Sequence, residues 1–183
     1  MAQFIPFSEN VEVNGYTVLS VVNGVNNLFK TKMLEILAKN NIENPQPENW
    51  YKQTDWLRAF KEISQKIGEN TLFSIGKSIP ENAIFPSTID NLEKALASID
   101  IAYKQNHRGG EIGYYKLASY DEAKKEAVME CFNPYPCHFD RGIITTMTRK
   151  FAPLHAVETF VVVDNSKPSR LTGSDTSWYI INW

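Results

Sequence analysis

The sequence predicts an α+β fold: N-terminal helices packed on an antiparallel sheet of about four to five strands, in the order hairpin, helix, two closing strands. Three observations carry this. Apolar residues recur at helical spacing through roughly residues 14–110, and from Glu111 the pattern turns to strand-like alternation that continues, with one helix, to residue 183. Between the strands, residues 131–151 join an alternating run to a helical stripe through a stiff corner. The length fits one domain, 1–183, with a real core.

Residues 1–13 read as extended, with Val11 and Val13 flanking Glu12. Asn14 is placed to cap a long helix over about 16–41, whose apolar positions run from Val18, Val21 and Val22 to Met33, Ile36 and Leu37, with Asn23-Gly24 weakening its middle. That stripe serves the core and would also suit a dimer seam. After the connector Asn44-Pro45-Gln46-Pro47, a second helix starts near Thr54 or Asp55, carries Trp56, Leu57, Phe60 and Ile63, and ends at Gly68. A short third helix runs from Asn70 and stops at Pro80. Pro86-Ser87-Thr88 opens a fourth, with Leu92, Leu96, Ile99 and Tyr103 on its buried side, which runs out where Gly109 and Gly110 follow His107 and Arg108.

Ile112, Tyr114 and Lys116 then alternate with Gly113, Tyr115 and Leu117, and 120–123 is the turn of a hairpin into 125–132. Pro134 and Pro136 fix two φ angles and disfavour helix at Asn133 and Tyr135, giving a strand-to-helix elbow with Cys137 and His138 at the helix mouth. Phe139, Ile143, Met147 and Phe151 form one stripe of that helix. Residues 154–163 carry the strongest strand signal, 164–175 are a polar connector, and 176–183 alternate as a closing strand.

Composition removes several function classes. The formal net charge of −2 supplies no basic field for nucleic acid or anionic lipid. No apolar run approaches the roughly 20 residues of a membrane helix, and the start lacks the basic and apolar regions of a signal peptide. Two cysteines without a secretion signal indicate free thiols and a cytoplasmic setting. Cys131 and Cys137, separated by five residues that include two prolines, lack the close-pair spacing of a zinc site, and His138 is the one additional ligand nearby, so no metal is expected. Cys131 shares a strand face with Ala127 and Met129 and reads as an inert buried thiol. Cys137 at a helix N-terminus is the more interesting one, as a capping group or a reactive or ligand-attaching thiol. At His107-Arg108-Gly109-Gly110 the glycines permit close approach and Arg108 could clamp an anionic group, although the same residues also make an ordinary helix C-terminus. The aromatics Tyr103, Tyr115, Tyr135 and Phe139 would either fill the space between helices and sheet or frame a cavity there. A haem would need a histidine facing an apolar pocket, for which His107 and His155 are the candidates.

The elbow Asn133-Pro134-Tyr135-Pro136-Cys137, together with Pro168-Ser169-Arg170, Gly173 and Tyr179 in the closing segment, resembles the 4-vinyl-reductase-type domain. Its wider superfamily takes in the TRAPP trafficking subunits and the haem nitric-oxide-binding (H-NOX) domains. The resemblance implies a small-molecule-binding or regulatory module, often dimeric, with an apolar pocket between helices and sheet. Relatives often carry cysteines in the closing segment; Ser169 and Ser177 stand at the corresponding places here, which leaves Cys137 alone and argues further against a metal.

The reading that follows is a binding or sensory domain, more a binder than an enzyme. It would hold an apolar or amphipathic ligand under the elbow helix, with Cys137 and His138 at the mouth, Arg108 and His107 as polar groups, and Tyr103, Tyr115, Tyr135 and Phe139 as walls. The cofactor stays open, with haem or another tetrapyrrole as one option. The alternatives are a homodimeric adaptor without a ligand, a thiol-dependent enzyme using Cys137, or a haem binder.

Overall fold

A computed structural model describes residues 3–83, 88–154 and 156–183. The short strand β1 (Glu12–Asn14) leads into α1 (Gly15–Asn23), with the Asn14 side chain accepting from the Tyr16 amide as the expected cap. The single long helix expected over 16–41 is two helices, α1 and α2 (Asn27–Lys39). Gly24 closes the first, and a Cβ there would lie 2.7 Å from the Ile75 backbone. Asn26 starts the second by accepting from the Leu28 amide. An Asn-Gly pair that only weakens an isolated helix ends it here because Gly24 sits against a neighbouring helix.

β2 (Trp50–Lys52) precedes α3 (Gln53–Lys66), whose Trp56, Leu57, Phe60 and Ile63 are all fully buried as their spacing predicts. The third predicted helix is longer than expected: α4 runs over Glu69–Asn82 and continues past Pro80. Proline removes one intrahelical bond near the helix end, and burial of Ile79 and Pro80 offsets the loss. α5 (Leu92–Gln105) starts later than expected, capped by Asn91, which accepts from the Lys94 amide; Thr88 and Ile89, expected within it, precede the helix, and Pro86-Ser87 lie outside the described residues. Instead of a loop, His107–Arg108 forms β3, and β2, β1 and β3 make a small antiparallel sheet that two- and three-residue strands gave no means to foresee.

The main sheet is antiparallel in the order β4 (Tyr114–Asp121), β5 (Glu126–Phe132), β7 (Thr176–Asn182), β6 (Phe160–Val163). The closing strand therefore lies in the interior of the sheet. Among the described residues the strand expected over 154–163 is confined to Phe160–Val163, which pair with Asn182 to Tyr179 of β7.

α6 (Cys137–Phe151) carries the predicted stripe, with Phe139, Ile143 and Met147 buried. It packs closest against α4. A Cβ at Gly76 would meet the Phe139 carbonyl oxygen at 2.1 Å, and one at Gly142 the Phe73 carbonyl oxygen at 2.3 Å, so backbone touches backbone at two points. That contact fixes how α6 faces both the interior and the surface. No helix among the described residues is long and apolar enough to cross a membrane.

Candidate functional site

The expected space between helices and sheet exists, but it is small. A cavity of about 30 Å³ is lined by Thr17 from α1, Trp56 from α3, Tyr103, Asn106 and His107 around the end of α5, Tyr115 from β4, Tyr135 from the elbow and Phe139 from α6, with Ile79, Ile99 and Ile143 completing the wall. Aromatic rings take most of the chamber. Trp56 lies 5.3 Å from Tyr135 and 6.0 Å from Phe139 between centroids, Phe60 lies 4.9 Å from Phe139, and Tyr103 lies 5.1 Å from Tyr115. A volume of this order holds a ligand of a few atoms.

A directed chain of hydrogen bonds crosses the chamber. Nδ1 of His107 is 2.7 Å from the Tyr103 carbonyl oxygen, which can only accept, so the proton sits on Nδ1. Nε2 is then the acceptor, and the Tyr135 hydroxyl, 2.6 Å away, donates to it. Gln53 Nε2 donates to the same hydroxyl at 3.0 Å. Burial lowers the pKa of His107 to about 4, so the imidazole is neutral at pH 7. Burial also raises the Tyr135 phenol well above its ordinary value. The chamber is thus uncharged. Trp56 Nε1 and Gln53 Oε1 are buried and have no hydrogen-bond partner among the described residues.

The elbow is held by a buried ion pair. Arg170, fully buried, lies within the polar connector and pairs through Nη2 with Asp140, also fully buried. Its Nη1 donates to the Cys131 carbonyl at 2.9 Å and to both the carbonyl and the side-chain oxygen of Asn133 at 3.0 Å. Tyr115 donates to Asp140 at 2.5 Å, and Asn133 Oδ1 accepts the Tyr135 amide at 2.9 Å. Burial pushes the Asp140 carboxyl up, while Arg170 and the hydrogen bonds from Tyr115 and Asn133 work to keep it ionised. Neither residue was expected in the site. Asp140, a charge one step from the apolar stripe of α6, was the available signal; Arg170 in a Pro-Ser-Arg connector reads as exposed.

The expected site residues divide between locations. His107, Tyr103, Tyr115, Tyr135 and Phe139 meet in the chamber. Cys137 and His138 do not reach it. They line a separate outer groove of about 300 Å³, together with Arg141, Val162, Val163, Asn165 and Leu171. Arg108 is in neither place: it bonds Glu12 at 2.6 Å and its guanidinium lies 4.3 Å above the Trp50 ring, because β3 pairs with β1 and turns the side chain outward. The thiol of Cys137 is buried and 3.1 Å from the Ser177 hydroxyl, which accepts the Arg170 amide at 3.0 Å. Cys131 is buried, as its strand face predicted, and burial pushes its thiol up. No group of three or more His, Cys, Asp or Glu side chains placed for a metal occurs among the described residues. The other haem-ligand candidate, His155, lies outside the described residues.

Solved structures carry the same arrangement of elements. An H-NOX protein from S. oneidensis in the Fe(II) ligation state matches with a TM-score of 0.66 at 12% identity, covering 92% of this chain and 95% of that one. The fold is that of the H-NOX domains. A second match, a T. tengcongensis H-NOX variant, has a TM-score of 0.63 at 16% identity over 92% of this chain and 96% of that one. A third, described as an oxygen-binding H-NOX domain related to soluble guanylate cyclases, has a TM-score of 0.60 at 18% identity, with 92% and 91% covered. No family model and no curated protein matches the chain.

Proposed function

We propose that this chain is a sensory or regulatory domain that takes a small apolar or amphipathic ligand into the chamber. The observation that carries this reading is the uncharged cavity bounded by Trp56, Tyr103, His107, Tyr135 and Phe139, inside a fold whose solved examples include a ligand-binding one described as binding oxygen. Its walls are apolar, and the polar groups are few and placed, as in small-molecule sites generally. The cavity surface is almost wholly apolar, so the favoured ligand presents an apolar body to it. A closer kinship with the 4-vinyl-reductase type is supported by the Cys137–Ser177 contact, which brings together the elbow and the closing segment that carry that resemblance.

Haem, named for a neighbour in which porphyrin distortion modulates its redox potential, does not fit the residues present. A macrocycle far exceeds the 30 Å³ cavity, and both ring nitrogens of His107 are engaged, Nε2 by Tyr135. Binding it would require breaking the Tyr135 bond and moving several rings of the packed cluster.

Native mass spectrometry with an absorbance scan tests this. The expected result is a small bound mass, or saturable xenon shifts at the methyls of Ile79, Ile99 and Ile143, with no Soret band. Ala102→Leu, on the chamber wall, should abolish the xenon shifts while circular dichroism stays native. A Soret band on haem addition overturns the haem-free reading; no bound mass and no saturable shift overturns the chamber reading.

A further inference from the structure

We infer that the outer groove is a second, independent binding site, for a small organic anion: a carboxylate or phosphate carrying a short apolar tail. The groove lies between the start of α6 and the β6 edge of the sheet, with a volume of about 300 Å³. One wall is cationic. Arg141 lines it, and its guanidinium carbon is held 4.7 Å from the centroid of Phe73, a ring that also carries the Lys77 ammonium at 5.8 Å. No carboxylate lies within 4.0 Å of Arg141 among the described residues, whereas Lys39, Arg58, Lys104 and Arg108 each have one. The Nε of Arg141 is buried and has no partner among the described residues.

The remaining charges do not cancel this wall. Glu69 reaches only the far nitrogen of His138, Nε2, at 3.0 Å. Asp164, next to the lining residues Val163 and Asn165, is turned to the Ser166 amide and hydroxyl at 3.0 and 2.6 Å and to Lys167 at 3.9 Å. The first turn of α6 has no side-chain cap and adds the positive end of a 15-residue helix. A planar guanidinium fork with an unpartnered N–H matches a carboxylate or phosphate edge.

The opposite wall supplies the tail's contacts. Val162 and Leu171 line it and are each 47% exposed, an apolar surface facing a cationic one across the groove. Inorganic anions would use only the first wall, so the pairing of the two selects an amphipathic anion. Cys137 contributes shape but no accessible thiol, because it is 1% exposed and hydrogen-bonded to Ser177.

Titration of the full chain, labelled with ¹⁵N, with hexanoate and with inorganic phosphate decides the matter. Expected are saturable shifts at the Cys137 and His138 amides and the Arg141 Nε–H, with hexanoate binding tighter than phosphate. Arg141→Met should weaken hexanoate about tenfold or more, the loss of a charge-assisted contact. Because Arg141 also packs on Phe73, Val162→Glu on the exposed edge strand serves as the second variant; it sets a carboxylate against the bound anion and should weaken it comparably. No saturable shift, hexanoate affinity in both variants unchanged from the parent chain, or phosphate binding tighter than hexanoate overturns the assignment. The xenon shifts in the chamber should stay unchanged throughout.

Discussion

The inner chamber and the outer groove are built on opposite sides of one helix. Phe139 faces the first and Arg141 the second, two residues and so about 200° apart around α6. In the chamber, burial has removed charge: His107 is neutral, Tyr135 donates to it, and the aromatic rings leave about 30 Å³. In the groove, water can reach the wall, so a guanidinium is retained without a carboxylate partner. The difference teaches that one elbow sequence, Tyr-Pro-Cys-His-Phe-Asp-Arg, sends alternate side chains into two dielectric regimes. The ligands proposed for each follow its regime: a small neutral molecule inside, an anion outside.

Breaking the clasp that holds both regions should have the largest effect. Arg170→Met leaves Asp140 as a buried charge without its partner and should cost about 3–5 kcal/mol in chemical denaturation. The chamber and the groove should be lost together, and an unchanged denaturation midpoint would refute the clasp.

Acid should separate the two regions next. The folded pKa of His107 lies below its unfolded value, so the unfolded chain takes up the proton first and stability falls as pH drops from about 6.5 toward about 4. The contribution of this group amounts to roughly 3 kcal/mol across that window, and His107→Asn should flatten the slope of stability against pH measured between pH 7 and 4.

Tyr135→Phe keeps the volume but leaves His107 Nε2 and Gln53 Nε2 without their shared partner, which should cost about 1–3 kcal/mol. It should shift the xenon signals of the chamber, whose wall it alters, and leave hexanoate affinity at the groove unchanged. Smallest of all is Arg108→Gln. Its pair with Glu12 is on the surface, so the change should be within about 1 kcal/mol by thermal melt, with both sites intact. A strong loss of ligand there would restore Arg108 as the anchor that the sequence pattern suggested.

The chamber walls were legible because they obey periodicity. Tyr103 and Phe139 fall on helical stripes, Tyr115 on a strand face, and Tyr135 between two prolines. Gln53, Trp56 and Thr17 were missed as site residues because nothing in a helical repeat says which buried position borders a gap. The groove was half legible: Cys137 and His138 stood out at the helix mouth, while Arg141 looked like a solvated charge and Val162 like ordinary strand. The same ambiguity hid Arg170, whose burial depends on Asp140, thirty residues earlier in the chain.

By itself the sequence determined the α+β class, the elbow, the helical stripes and the weak net charge, since these depend on neighbours a few residues apart. Only the tertiary structure decided that the closing strand sits inside the sheet, that aromatic rings fill the chamber, and that Cys137 faces away from it. Such outcomes depend on which surfaces meet and how much volume remains between them, and a period along the chain records neither.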